Sequence, residues 1–227
     1  MIRSLAADDQ LVGFVQRVLG YCLTGATLEH ALFFLYGLGA NGKSVLLSTV
    51  TGILGEYHRT APVEMLLVSK HDRHPTELAG LVGRRLVTAT ETEQGKRWAE
   101  AKIKALTGGD TISARFMCRD FFDYVPQFKL IVAGNHKPSL NTVDEAMRRR
   151  LNLIPFNVTI PEKDRDPHLG EKLKAEWPQI LQWMIDGCLE WQEHGLSAPA
   201  PRSDQPPHRH GTVFRGRKVK PLGWADG

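Results

Sequence analysis

One short stretch limits what this chain can fold into more than any other: LYGLGANGKSVLL, residues 35–47. It places Gly37, Gly39 and Gly42 directly after an apolar run and directly before apolar residues at helical spacing. Glycine allows backbone conformations that other residues avoid, so the stretch predicts a tight loop between a buried strand and a helix. Strands and helices in alternation are typical of α/β folds with a parallel sheet.

The spacing within this loop predicts phosphate binding. Gly37, four further residues and then Gly42, Lys43 and Ser44 match the P-loop pattern, in which backbone N–H groups and the dipole of the next helix face one concavity. Lys43 would neutralise the β- and γ-phosphates, and Ser44 would bind Mg²⁺. The pattern favours ATP binding without separating a kinase from a switch or a motor. The predicted nucleotide-binding residues are Gly37, Gly39, Ala40, Asn41, Gly42, Lys43, Ser44 and Val45.

Polar residues follow two further apolar runs. Glu91 and Glu93 follow the apolar part of RRLVTATETEQGK, and Asn135 follows the apolar part of FKLIVAGNH. One carboxylate would hold Mg²⁺, with Glu91 predicted as a metal ligand beside Ser44, and the other would polarise the attacking water. Asn135 could reach the γ-phosphate or that water. The residues alone leave open a solvated loop for the glutamates and a plain turn for Asn135.

Three consecutive arginines, residues 148–150, precede the apolar run LNLIPF. An arginine directed at the ATP of a neighbouring subunit would act on it in trans. The alternative is a solvated helix end, where positive charge is favoured by the helix dipole. Consecutive residues on a helix point in different directions, so at most one or two of the three can serve one site.

The hydrophobic pattern predicts an α/β fold with a mainly parallel sheet, an inserted β-hairpin and a small C-terminal helical appendix. We expect strands over 32–36, 85–90, 129–133 and 151–156, and helices over 45–54, 76–82 and 98–106. The hairpin is expected over 111–125, with its turn at 118–120. The predicted units are a helical segment over 1–26, a core over 27–158, a helical segment over 159–198 and a disordered tail over 199–227.

Composition excludes some classes of protein. The 227 residues are 42% hydrophobic and carry a net charge of +4, which is compatible with nucleic-acid binding without requiring it. Three cysteines, an odd number without metal-site spacing, argue against a disulfide framework, and we expect buried thiols. The longest apolar run, residues 31–36, is too short to cross a membrane, so a cytoplasmic protein without a membrane partner is expected.

Taken in order, these motifs resemble the helicase domain of phage and plasmid primase–helicases, a branch of superfamily 3 within the AAA+ fold. The resemblance covers about residues 8–200. It implies an AAA+-like P-loop ATPase in which Gly42, Lys43 and Ser44 form the Walker A core, and Glu91 and Glu93 lie in the Walker B region. The catalytic set that it implies is Lys43, Glu91, Glu93, the sensor Asn135 and the arginine finger Arg149, with Arg150 as a second candidate for the finger. The segments that carry it are LFFLYGLGANGKS, GRRLVTATETEQGK, ALTGGDTISAR, FKLIVAGNHKP and RRRLNLIPF.

The resemblance also implies DNA contacts and an assembly. The hairpin would face single-stranded DNA, with Arg115 and Arg119 as the local cations, whereas Phe116 and Phe121 are expected in the hydrophobic core. It implies a ring, expected to be a hexamer, that uses ATP and Mg²⁺ in the bacterial cytoplasm as a helicase or translocase of phage or plasmid replication. Two alternatives remain: a truncated prophage-type remnant that binds nucleotide without unwinding, and a small-molecule kinase, which gives no reason for the hairpin.

Overall fold

Helices and strands alternate along most of the chain. The computed structural model describes residues 8–69, 76–91, 97–136 and 145–199. Its helices and strands, in chain order, are α1 (Asp9–Tyr21), β1 (Leu32–Tyr36), α2 (Lys43–Leu54), β2 (His58–Thr60), α3 (Thr76–Ala79), β3 (Leu86–Glu91), α4 (Glu100–Gly108), β4 (Ile112–Ala114), β5 (Phe122–Tyr124), β6 (Lys129–Gly134), α5 (Glu145–Arg150), β7 (Leu151–Pro155), α6 (Leu169–Ala175) and α7 (Trp177–His194).

A five-stranded sheet in the order β2-β3-β6-β1-β7 forms the centre, and all four neighbouring pairs are parallel. All five residues of β1 are buried, as expected for a parallel strand covered on both faces. The predicted α/β fold with a mainly parallel sheet is confirmed. The sequence pattern missed β2, because a three-residue strand that follows a 3₁₀ turn at Gly55–Tyr57 has no readable period.

Two hydrophobic layers cover the sheet. On one face, Phe33 and Leu35 of β1 pack with apolar residues of α1, α2 and α7. On the other face, Leu32 and Phe34 pack with residues of α4 and α5. Successive residues of β1 therefore contribute to opposite layers, which is the period of two that a buried strand imposes.

The hairpin of β4 and β5 is a separate antiparallel sheet inserted between β3 and β6. Tyr124 ties it to the rest of the molecule, because its hydroxyl donates a hydrogen bond to the carbonyl of Leu78, just before the end of α3, at 2.8 Å. The predicted hairpin insertion is confirmed. Its strands are shorter than expected, with Arg115–Phe121 forming the connection.

The first and last long helices pack directly on each other. Gln16 of α1 donates its side-chain amide to the carbonyl of Trp183 of α7 at 2.9 Å. The N-terminal helix and the predicted C-terminal helical segment therefore share one face of the sheet. The unit boundaries after residues 26 and 158 stay predictions, and residues 200–227 of the predicted tail lie outside the described residues.

The expectation of buried thiols is confirmed for Cys22, met in part by Cys188 and wrong for Cys118. Cys22 is buried and Cys188 half-buried, but Cys118 is exposed at the hairpin turn, with φ at +57°. Among the helices described, none combines the length and the apolar character needed to cross a membrane.

Candidate phosphate-binding site

The 37–44 loop, Asn135 and the backbone of Glu91 lie along one edge of the sheet. In the strand register, Tyr36 at the end of β1 is beside Gly134 of β6, and Gly134 is beside Glu91 of β3. Neighbouring strands are about 4.8 Å apart, so these three strand ends span about 10 Å. The loop of residues 37–44 continues from β1, and Asn135 follows β6. Strand pairing alone therefore brings the loop, Asn135 and the end of the acidic strand together.

The strands β1 and β6 also mark a change of direction in the topology. The helix after β1, α2, packs on one face of the sheet, while the helix after β6, α5, packs on the other. Adjacent parallel strands that lead to opposite faces are expected to leave a crevice beyond their carboxyl ends. In open α/β sheets this is the usual place for a ligand.

The 37–44 loop depends on left-handed backbone at three positions. Gly37 has φ at +145°, Ala40 at +59° and Gly42 at +84°. A Cβ atom at Gly37 would lie 2.2 Å from the carbonyl oxygen of Phe156, so the chain passes too close there for a side chain. A non-glycine residue in the left-handed region, as at Ala40, costs energy and is common at functional sites. The backbone N–H of Ile160 holds Ala40 in place by donating to its carbonyl at 2.8 Å.

Asn41 fixes the loop against the chain that follows β7. Its side-chain amide donates to the carbonyls of Leu38 at 2.5 Å and of Phe156 at 2.8 Å. Its side-chain oxygen accepts from Lys43 at 3.1 Å. Only 3% of Asn41 is exposed, so these bonds form in a water-poor setting where they hold the backbone firmly. The loop is therefore shaped before any ligand arrives.

Lys43 places its charge inside this loop. The side-chain amine donates to the carbonyl of Gly37 at 2.5 Å as well as to Asn41, and the residue is 7% exposed. Burial lowers the pKa of this lysine below its ordinary value, because the charged form loses hydration. Both acceptors are neutral oxygen atoms, so an anion would be a better partner for the ammonium group than either of them.

The helix that follows offers further donors. Its cap is Gly42, which has no side chain to occupy the helix end, and the first intrahelical bond runs from the N–H of Leu46 to the carbonyl of Gly42 at 2.9 Å. The N–H groups of residues 43–45 therefore precede the intrahelical pattern. The side chain of Ser44 is in the first turn and exposed. Together with Lys43, these groups suit a phosphate.

Of the predicted polar residues at the strand ends, Asn135 is described in full, and Glu91 only in its backbone. Asn135 is exposed directly after β6, one strand away from the 37–44 loop. The backbone of Glu91 closes β3 at the same edge. The side chain of Glu91 and the whole of Glu93 lie outside the described residues, so their roles stay predictions.

The three arginines do not share one environment. Arg148 and Arg149 are exposed on α5, whereas Arg150 is half-buried and donates to the carbonyl of Ala146 at 3.1 Å. Arg150 is therefore bound to its own helix. Arg149 stays the predicted finger.

The two predicted DNA-contacting arginines separate around the hairpin. The guanidinium of Arg115 lies 4.8 Å from the ring centre of Phe121, whereas Arg119 is exposed at the turn. The expectation that Phe116 and Phe121 are in the core is wrong: they are 48% and 58% exposed. Ile112 at the base of the hairpin belongs to the hydrophobic layer on the central sheet, whereas Phe116 and Phe121 are in the connection beyond the paired strands.

Sequence reasoning missed two residues after β7 whose backbones bond to the 37–44 loop and to the end of β1. Phe156 accepts from Asn41, and its N–H donates to the carbonyl of Tyr36 at 2.7 Å. Phe156 and Ile160 act through their backbones, so no side-chain pattern could reveal them. The only signal was that the apolar run LNLIPF leads into this segment.

Known proteins similar to this chain carry the names helicase and primase. Over 218 residues it is 29% identical to "Putative helicase L207/L206" of Acanthamoeba polyphaga mimivirus, covering 87% of this chain and 23% of that protein. It is 24% identical to "Primase D5" of Fowlpox virus, covering 67% of this chain and 20% of the relative. The chain thus spans at most about a quarter of the length of these two relatives.

The fold also matches solved structures. The apo structure of the NrS-1 C terminal region (305-718) superposes with a TM-score of 0.64 at 13% identity, covering 81% of this chain and 44% of that one. At this identity the likeness concerns the fold alone. A family model, described as a family of unknown function (DUF5906), matches residues 35–150, which include the 37–44 loop, the hairpin and α5. The chain therefore belongs to the DUF5906 family.

Proposed function

We propose that the chain is the motor domain of an ATP-dependent DNA helicase or translocase, of the superfamily 3 type, that acts on single-stranded DNA during replication. The observation that carries this proposal is the 37–44 loop after β1, in which Gly37, Ala40 and Gly42 have positive φ and the side chains of Asn41 and Lys43 are buried. Relatives named helicase and primase support the DNA-replication part of the proposal.

ATP and Mg²⁺ fit the donors that the site provides. The N–H groups of the loop and of the first turn of α2, with the ammonium of Lys43, would hold the β- and γ-phosphates. The exposed hydroxyl of Ser44 would bind Mg²⁺ with a carboxylate from the Glu91–Glu93 pair. Magnesium supplies charge neutralisation at the phosphates, and Asn135 would orient the attacking water.

The proposal includes a ring, expected to be hexameric, in which Arg149 acts on the nucleotide of a neighbouring protomer. Its side chain is exposed on α5, whereas Arg150 is occupied within its own helix. An exposed arginine is available to a nucleotide that another protomer holds at its surface, which is the role that the resemblance implies. Hydrolysis at subunit interfaces would then require head-to-tail assembly, which closes into a ring when the rotation permits.

The test is ATP turnover by the purified chain with Mg²⁺, with and without single-stranded DNA, over a range of protein concentrations. We expect turnover to rise with DNA and more steeply than in proportion to protein, because each site needs two protomers. Lys43→Ala should abolish turnover, whereas Lys163→Ala, an exposed lysine in the 3₁₀ turn Glu162–Asp164, should retain it.

Normal turnover in Lys43→Ala would show that hydrolysis occurs elsewhere and would overturn the assignment. Nucleotide binding without turnover at any concentration would instead favour a protein that binds ATP without working as a motor. ATP turnover that is unchanged by DNA but increased by a small-molecule phosphate acceptor would favour a kinase.

A further inference from the structure

A groove separates the hairpin from the region of α3, away from the 37–44 loop. Its volume is about 970 Å³. The described residues that line it include three arginines and two phenylalanines, and neither Asp nor Glu: Arg59, Arg84, Arg119, Phe116 and Phe122. It was not predicted from the sequence, because these residues are spread over more than sixty positions.

The aromatic wall of the groove is already organised. The rings of Phe116 and Phe122 stack with their centres 5.8 Å apart and an angle of 27° between their planes. The ring of Tyr124 is next in this row, with its centre 6.2 Å from that of Phe122. Its hydroxyl donates a hydrogen bond to the carbonyl of Leu78. Phe116, at the end of this row, is 48% exposed. A flat apolar group could therefore extend the row by stacking on Phe116.

The groove also contains basic side chains: Arg59 of β2, Arg84 between α3 and β3, and Arg119 in the same hairpin connection as Phe116. Arg84 donates to the carbonyls of Glu56 and, at 3.5 Å, of Gly80, which fixes its guanidinium in place. Arg59 and Arg119 are both exposed. Three arginines without a carboxylate in the described lining give the groove a positive potential, which attracts anions.

We propose that this groove binds one nucleotide unit of a single nucleic-acid strand, with the base stacked on Phe116 and the flanking phosphates bound by Arg59 and Arg119. A nucleotide combines a flat, largely apolar base with an anionic phosphate, and the groove offers a partner for each. Stacking of this kind tolerates any base, and it suits a protein that moves along a strand. The inference rests on the proposed action on single-stranded DNA and assigns its binding surface.

The test uses the full chain and a fluorescent single strand of twelve thymidines, with affinity measured by anisotropy at several salt concentrations. Phe116→Leu should weaken binding about tenfold, because one stacked base is lost. Phe121→Leu is the matched control: this phenylalanine is in the same hairpin and 58% exposed, but it does not line the groove. It should bind like the wild type.

A second pair of variants measures the contribution of charge separately from that of stacking. Arg59→Gln should lower the slope of log affinity against log salt by about 0.7, the value of one released counterion on a single strand. Arg165→Gln, an exposed arginine outside the groove, should leave the slope unchanged. A strand of the same length made of abasic units should bind Phe116→Leu and wild type equally.

The outcomes also separate this inference from the proposed function. If the wild type binds DNA and hydrolyses ATP, but Phe116→Leu and Arg59→Gln bind DNA like their controls, the groove is not the binding surface and the motor proposal stands. If Phe116→Leu and Arg59→Gln both differ from their controls in DNA binding but the wild type hydrolyses no ATP, the groove is supported as the binding surface and the motor proposal fails. If Phe116→Leu lost as much affinity for the abasic strand as for the thymidine strand, Phe116 would not stack on a base.

Discussion

At the scale of single residues, Gly37 determines the shape of the candidate site. Its left-handed φ and the approach of the Phe156 carbonyl leave no room for a side chain. Gly39, two residues later in the same loop, has open space around the position of a Cβ atom. The sequence pattern treats the two glycines alike, and only the three-dimensional structure shows that their requirements differ.

Gly37→Ala should destabilise the fold by about 2–4 kcal/mol, the sum of overpacking against backbone and of left-handed strain. Gly39→Ala should change the free energy of unfolding by no more than about 0.5 kcal/mol, as a surface substitution does. Urea unfolding of the two variants measures the difference. Equal effects would mean that the approach of Phe156 to Gly37 is not a real constraint.

Lys129, the first residue of β6, is a buried lysine at the opposite end of the sheet from the site. Its amine donates to the carbonyls of Thr24 and, at 3.3 Å, of Ala26, and lies 4.6 Å from the ring centre of Tyr21. Burial lowers the pKa of Lys129 from 10.5 to about 8. Between these values the unfolded chain binds more protons than the folded one, so this lysine makes stability rise with pH.

Relative to Lys129→Met, the wild type should gain about 1 kcal/mol of stability between pH 8 and 9. The raised pKa values of Cys22 and Cys188 act in the opposite sense, but they are present in both proteins and largely cancel in the difference. Urea unfolding of both proteins at pH 7, 8 and 9 measures this. A constant difference between them would contradict a lowered pKa for Lys129.

At the scale of helices and strands, α1 and α7 are in backbone contact. A Cβ atom at Gly20 of α1 would lie 2.2 Å from the backbone nitrogen of Cys188, and one at Gly187 of α7 would lie 2.3 Å from the carbonyl oxygen of Gln16. The absence of a side chain at each glycine therefore makes room for the backbone of the opposite helix. Gly13, also in α1, has only the flexible end of Arg17 nearby, at 3.5 Å.

Two Gly-to-Ala substitutions in the same helix should have opposite effects. Gly20→Ala should lower stability by about 2–3 kcal/mol, because the helices must move apart. Gly13→Ala should raise it by up to about 1 kcal/mol, because alanine favours the helix. Thermal unfolding of both variants checks the signs. Stabilisation by Gly20→Ala would show that the two helices are not in close contact.

Local patterns predicted most elements but not their arrangement. The strand at 32–36 agrees with β1, because a wholly apolar run bounded by glycine has few other interpretations. The hairpin was also predicted, but the exposure of Phe116 and Phe121 was not, since hydrophobicity does not show whether a hairpin rests on the core. The backbone bonds of Phe156 and the arginine groove depend on contacts between distant segments, which no local pattern contains.

At the scale of the whole molecule, the parallel sheet brings the 37–44 loop, Asn135 and the end of β3 to one edge, while Arg149 is exposed on α5. Under the proposed function, a protomer alone is incomplete. Arg149→Ala should therefore keep ATP binding and lose turnover, whereas Arg148→Ala, its exposed neighbour, should be nearly normal. Fluorescent-nucleotide binding and phosphate release measure the two properties.

Mixing two inactive variants tests whether the site is shared. In an equal mixture of Lys43→Ala and Arg149→Ala chains, about a quarter of head-to-tail interfaces combine an intact Lys43 with an intact Arg149. Turnover should thus return to a fraction of the wild-type rate, in proportion to those interfaces. A mixture as inactive as its components would place Arg149 within its own protomer or in a structural role.

The contact between Gly20 and Gly187 has a consequence for how this sequence can change over evolutionary time. Each glycine is required only while the other helix stays close. The first replacement bears the cost of separating the helices, and the second meets a gap that already exists, so the two costs are not additive. Selection on one position therefore depends on the state of the other, and a lineage that has lost one glycine is freed from keeping its partner.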